Sequence, residues 1–203
     1  MELRRLRYDN EAALRRYSAE LWLPYHRELA ETVGSHDLAD WSSDRFVDHN
    51  VQFTHDVLEQ AGHRGWVGVI AADDHDSRVD DRAALESSAD LADPALELVG
   101  HMLTSVDECP DPFDRPDRLV IGDIYLREPY RGTGVADRFV ERAVADARDH
   151  GCAELRLDVD ADNERALTFY TKQGFEPYRK QLTLSVDNVR DTASGTDESA
   201  ESI

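Results

Sequence analysis

A strand, a tight glycine turn and a helix in immediate succession constrain this chain more than any other feature. Residues 119–126 form an aliphatic run of strand length. Ala136, Phe139, Val140, Ala143, Val144 and Ala147 then recur at helical spacing until Gly151 closes the pattern. Between the two stands Arg131-Gly132-Thr133-Gly134-Val135-Ala136. Two glycines at a strand-to-helix turn let backbone N–H groups approach a ligand, and the helix behind them adds its positive end, which together make a cradle for phosphate. The spacing excludes two common owners of such a turn. A dinucleotide fingerprint needs a third glycine where Asp137 stands, and a P-loop needs a following Gly-Lys-Ser/Thr that is absent. A turn with no ligand is the plain alternative.

The rest of the chain supplies a frame for this unit. Residues 3–8 read as a first strand. Asp9 or Asn10 caps a helix carrying Ala13, Leu14, Tyr17 and Leu21, which Pro24 interrupts or restarts. Ser42-Ser43-Asp44 opens a second helix that ends near Gly62. Strands are expected at 66–72 and 96–106, separated by an acidic insertion over 73–95 with a helical turn around 82–87. A second long connection covers 107–117. Downstream, Leu155, Leu157 and Val159 alternate with Glu154, Arg156 and Asp158 as in a half-buried strand. Asn163 caps a short helix ending at Gly174, and 178–186 reads as a last strand. Residues 187–203 are polar, acidic and expected to be disordered. The order β-α-α-β-β-β-α-β-α-β argues for one α/β domain over 1–186 with a mixed sheet.

Charge bears on partners. The 203 residues hold 43 Asp and Glu against 23 Lys and Arg, a formal net charge of −20, and lysine occurs only at Lys172 and Lys180. The acid is spread over helices, loops and tail, which reads as adaptation to a high-salt cytoplasm rather than as a surface for a cationic partner. Such a chain has no positive footprint for nucleic acid. No apolar run reaches the length of a membrane span, and the N-terminus leads into no signal-type stretch, so a cytoplasmic location is expected. Cys109 and Cys152 form neither a metal spacing nor an expected disulfide. Asp158-x-Asp160-x-Asp162 lacks the glycine and late glutamate of a calcium loop, and the eight histidines show no zinc spacing, so no metal is expected.

A second motif gives the glycine turn an owner. About thirty residues later comes Asn163-Glu164-Arg165-Ala166-Leu167-Thr168-Phe169-Tyr170-Thr171-Lys172-Gln173-Gly174-Phe175. Arg131-x-x-Gly134-x-Ala136 resembles the (Gln/Arg)-x-x-Gly-x-(Gly/Ala) signature of the GNAT superfamily of acetyl-CoA-dependent N-acetyltransferases. The second segment is similar to that family's N-x-x-A-x-x-x-Y-x-K-x-G-F element, in the same order and separation. The match covers roughly 119–178; the first half resembles the family in element order alone.

The resemblance implies a single-domain GNAT fold, with a mixed, mostly antiparallel sheet flanked by helices and two strands splayed at the cofactor site. It implies acetyl-CoA as cosubstrate and an amine-bearing acceptor, small molecule or protein, and it allows a homodimer. Gly132, Thr133, Gly134, Val135 and Ala136 would hold the pyrophosphate, with Arg131 adding charge or holding the turn. Ile124, Tyr125 and Leu126 would pair with the pantetheine arm as an added strand does. Asn163 would contact that arm, cap its helix, or both. Tyr170 would stand near the sulfur and protonate the departing thiolate. The general base is open. The position where some relatives carry a glutamate is Gly122. Asp123 is adjacent, and strand alternation turns it to the opposite face unless a bulge intervenes. A water relay, or an amine that arrives neutral, would also serve. Trp22, Tyr25, His26 and Trp41 fall where the family shapes its acceptor site, and ordinary packing explains them equally well. His101, on an expected strand, could face the acceptor pocket, but a satisfied core or surface histidine is the preferred reading. A GNAT-like module that holds acyl-CoA without catalysis, and an acidic interaction protein, are the competing readings.

Overall fold

The computed structural model describes residues 1–34, 36–71 and 91–185. The helical turn expected at 82–87 and the tail from 187 onward lie outside the described residues, as does most of the insertion. The elements run β1 (Glu2–Leu6), α1 (Glu11–Tyr17), a π-helical turn (Ser18–Trp22), α2 (Leu23–Thr32), α3 (Ser43–Glu59), β2 (Arg64–Ala71), β3 (Leu96–Asp107), β4 (Arg118–Leu126), a 3-10 turn (Glu128–Tyr130), α4 (Val135–Asp149), β5 (Glu154–Leu157) and α5 (Glu164–Lys172).

Local chemistry sets most of these boundaries. Asn10 caps α1, its Oδ1 accepting from the Ala13 N–H at 3.0 Å, and the Ser42 hydroxyl accepts from the Arg45 N–H at 3.3 Å to start α3. Pro24 falls in the first turn of α2, where a missing N–H costs little, so the chain passes from α1 through the π turn into α2 without a loop.

The five strands lie side by side in chain order. β1 to β4 form an antiparallel meander, and β5 joins β4 in parallel after the α4 crossover. Helix α4 lays Phe139, Ala143 and Ala147 on one face of the sheet, against Trp66, Val99, Met102, Leu119 and Ile121. On the other face Leu14, Tyr17 and Leu21 pack against Val67, Val69, Leu98 and Tyr125. The mixed, mostly antiparallel sheet between helices is the architecture expected from the sequence.

The strand expected at 178–186 does not form over its described residues. Among the described residues after Gly174 none forms a ladder, although 178–185 alternate as a strand should. Leu182 and Leu184 stand 93% and 72% exposed. Tyr178 turns its ring to the start of β4, with the Arg118 guanidinium 4.8 Å from its centroid. Alternation describes a strand's faces but does not supply the neighbour whose hydrogen bonds make it one.

His101, in the middle of β3, is fully buried, edge-on to the Tyr17 ring at 5.1 Å. Neither ring nitrogen has a hydrogen-bond partner among the described residues. It is therefore a core residue, but not a satisfied one. Burial drives its pKa down to about 3, so the folded protein holds it neutral. The unfolded chain takes up the proton near pH 6.5, so the histidine's contribution is complete above that pH and is lost as pH falls from 6.5 toward 3. The loss should reach the order of 4 kcal/mol at the acid end. Denaturant titrations of the parent and of His101→Phe, run from pH 7 to 3.5, should show the parent losing stability faster. Parallel curves would refute this.

Candidate active site

Strands β4 and β5 pair only over their first four positions, from Arg118↔Glu154 to Ile121↔Leu157. Beyond Ile121 they part, and the rest of β4 has no neighbour on that side among the described residues. The open β4 edge that the expected splay calls for is present among the described residues. The Arg127 N–H donates to the Val99 carbonyl at 3.0 Å, and Tyr125 stands opposite His101 in the same ladder. Antiparallel alternation then turns the N–H and C=O groups of Ile124 and Leu126 into the gap and those of Tyr125 toward β3. Tyr125 instead contributes its hydroxyl, which donates to Glu28 Oε1 at 2.7 Å; burial and that carboxylate push its pKa up to about 12.

The ladder between β3 and β4 slips between Leu103 and Thr104, which face Asp123 and Ile121, so Gly122 is the extra residue of a bulge. The slip reverses the faces. Leu119 and Ile121 point to the α4 side, as do Ile124 and Leu126, while Asp123 and Tyr125 point to the α2 side. A glycine inside a strand was the sequence signal for this device.

The glycine turn closes one end of the gap. Gly132 and Gly134 have φ of +72° and +85°, and Gly134 starts α4 with no side-chain cap on the first-turn N–H groups. No atom lies within 4 Å of where a Cβ on Gly132 would sit. The Thr133 hydroxyl donates to the Tyr130 carbonyl at 2.7 Å. Val135 is buried in the core and Ala136 packs beside it, so both seat the helix. Arg131 holds the turn: its Nε donates to the Leu126 carbonyl at 2.9 Å, and its guanidinium pairs with Glu28. Glu28 thus ties the turn to α2 and to Tyr125, a role that no sequence signal revealed.

Beyond β5, Asn163 caps α5, its Oδ1 accepting from the Ala166 N–H at 3.1 Å. Tyr170 lies on the same helix, its ring edge-on to Phe175 at 5.5 Å. Burial first, and the Asp123 carboxylate second, push its pKa up to about 12.

Asp123 accepts a hydrogen bond from the Tyr25 hydroxyl at 3.2 Å. Burial raises its pKa, opposed by the nearby His26, by the Tyr25 bond and by His36. His26 stacks between Trp22 and Tyr25, with ring centroids 4.5 and 4.8 Å away. His36, after α2, reaches Asp160, before α5, at 3.7 Å. Asp160 stood out in the sequence only within a rejected calcium-loop pattern and His36 not at all, because only the fold brings their loops together. Trp41 belongs elsewhere: it packs on Phe46 and carries Arg45 over its ring.

The two strand ends thus frame a slot. It has the unladdered backbone of β4 along one wall, a glycine turn at one end, and Asp123 on β4 with Tyr170 near enough to feel its charge. Among the described residues no group of three or more His, Cys, Asp or Glu is placed to hold a metal, and no helix is long and apolar enough to cross a membrane.

The model of the acetyltransferase (GNAT) family matches residues 14–175. Over 58 residues the chain is 40% identical to N-alpha-acetyltransferase MAK3 of Arabidopsis thaliana, covering 29% of this chain and 30% of that protein. The matched stretch thus spans about a third of that relative's length. Among solved structures, a tetramutant of the BH1408 protein of Bacillus halodurans superposes with a TM-score of 0.62 at 17% identity, covering 92% of this chain and all of that one. Aminoglycoside N-acetyltransferase AAC(6')-Iy in complex with CoA superposes at 0.55 and 14% identity, covering 91% and 93%.

Proposed function

The chain belongs to the GNAT acetyltransferase family, and from that premise we propose that it transfers an acetyl group from acetyl-CoA to a primary amine by direct attack in a ternary complex. The observation that carries this reading is the slot: an open β4 edge that leads from a glycine turn at a helix N-terminus to a carboxylate and a phenol. Its parts suit acetyl-CoA. The gap-facing backbone of Ile124 and Leu126 suits the amide-bearing arm, and the uncapped N–H groups behind Gly134 suit the pyrophosphate.

Bound acetyl-CoA supplies the activated thioester. The Leu126 N–H faces the gap and is the donor for the negative charge that develops on the thioester oxygen. Asp123 draws the acceptor's ammonium into the slot and takes its proton, which burial makes it better able to hold. The amine nitrogen then forms the bond to the acetyl carbon as the carbon–sulfur bond breaks. Tyr170, protonated throughout the neutral range, delivers its proton to the sulfur and regains one from water. The amine's second proton leaves to solvent, so one proton is released per amide formed.

The acceptor class rests on analogy: MAK3 is named for α-amines and AAC(6')-Iy for aminoglycosides. Calorimetry with acetyl-CoA in high salt should show binding. Incubation with acetyl-CoA and a peptide bearing a free α-amine, spermidine or kanamycin should release free thiol. Absence of binding would sink the reading; binding without thiol release from any amine would favour a non-catalytic acyl-CoA module. A narrower arm concerns the turn. Gly134→Val puts a β-branched residue at φ +85° and a side chain into the phosphate approach. It should weaken acetyl-CoA binding at least about tenfold, or 1.4 kcal/mol. Unchanged affinity would remove the turn as the phosphate site.

A further inference from the structure

Helix α2 is fastened to β4 by two hydrogen bonds in matching register. Tyr25 and Glu28 stand three residues apart on α2, hence on one helix face, and Asp123 and Tyr125 stand two apart on β4, hence on one strand face. The Tyr25 hydroxyl donates to Asp123 Oδ1 at 3.2 Å, and the Tyr125 hydroxyl donates to Glu28 Oε1 at 2.7 Å. Only the second rung goes further. The other oxygen of Glu28 accepts from the Arg131 guanidinium, whose Nε donates to the Leu126 carbonyl at 2.9 Å. One carboxylate thus joins three separate pieces: α2, the open end of β4 and the glycine turn. We propose that Glu28 is a positioning residue for acetyl transfer, acting through Arg131 to hold the Leu126 end of β4 and the phosphate turn in one fixed geometry. The inference rests on the acetyltransferase reading and adds a residue to it.

The turn takes the pyrophosphate and the Leu126 N–H takes the thioester oxygen, so the separation of the two has to match a single ligand. Pairing with β5 does not fix this end of β4, because that ladder stops at Ile121. Glu28 and Arg131 supply the missing restraint from the α2 side. A displacement of about 1 Å at such a donor costs on the order of 10²-fold in rate. The same carboxylate neutralises the cation at the first residue of the turn. Removing it leaves Arg131 without its counter-ion and takes away one negative charge, and both changes favour an anionic ligand there. The two consequences point in opposite directions: transfer slows while cofactor binding does not suffer. A residue that only packed would impair both together. The Glu28 side chain is 41% exposed, so truncating it opens no cavity in the core.

The test is Glu28→Ala in the full chain. With the fastest acceptor among the three amines and saturating acetyl-CoA, kcat should fall on the order of 10²-fold, while calorimetry shows acetyl-CoA affinity unchanged or tighter. Glu28→Gln keeps one acceptor oxygen and should recover part of the rate. A double-mutant cycle checks that the effect passes through Arg131. Arg131→Met alone should lower kcat to a similar degree, and adding Glu28→Ala to it should cost less than about twofold more. A Glu28→Ala variant as active as the parent, or losses that simply multiply with those of Arg131→Met, would overturn the proposal. So would a parallel loss of rate and of acetyl-CoA affinity. If the parent acetylates no amine, it is the enzymatic reading that fails. The arrangement is then decided by binding alone: weaker acetyl-CoA affinity in Glu28→Ala refutes it, and equal or tighter affinity supports it.

Discussion

Tyr170→Phe should lower the acetyl-transfer rate on the order of 10²-fold and leave acetyl-CoA affinity within about twofold. The expectation follows from where the phenol sits. Packing on α5 and Phe175 holds the ring, and phenylalanine keeps that packing, so the slot should keep its shape. What is lost is one proton. With its pKa pushed up to about 12, Tyr170 is fully protonated through the assay range, so it should produce no falling limb in the pH–rate profile below about pH 11. The rising limb belongs to the carboxylate that must ionise. Stopped-flow thiol release in parent and variant, with calorimetry for the cofactor, checks both halves. Unchanged turnover removes Tyr170 as the acid; lost binding makes it a packing residue.

Asp146→Ala should cost about 3 kcal/mol of stability and lower Tm by roughly 6–12 °C. Asp146 is fully buried on α4, facing β2. Its Oδ1 accepts from Arg64 at 2.8 Å and Arg142 at 2.6 Å, and its Oδ2 accepts from the Trp66 indole at 2.7 Å. Removing the carboxylate leaves a buried indole N–H and the Arg64 guanidinium without their acceptor, and leaves Arg142 with Asp149 alone, at 3.4 Å. Arg142 also lies over the Trp66 ring at 4.8 Å, so its charge has little room to move. The cost is put at the low end of such losses because Arg64 reaches water. Because the site is shielded, molar salt should not erase the difference, as it would for a surface pair. Thermal denaturation at low and high salt tests this, and equal melting points for parent and variant at either salt would refute it.

The glycine-turn end of the slot was legible because it is local. A strand, two glycines and a helix in sequence can make only a few turns, and Gly134 has the positive φ and uncapped helix start that its position suggested. The Asn163 cap is likewise a contact over three residues. The failures were of long range. Residues 178–185 carry the alternation of a strand but meet no ladder among the described residues. Arg131 reads as adding charge or holding the turn; its partner Glu28, more than one hundred residues away, is supplied only by the fold.

What the sequence determined by itself was the turn, its helix and the family to which they belong, because those rest on backbone conformation and near-neighbour spacing. The tertiary structure decided where Asp123 points. The bulge at Gly122 exists only as a slip against β3, and without that slip the carboxylate would face α4 instead of Tyr25 and His26. A side chain's face is a property of register, and register is set by the neighbouring strand.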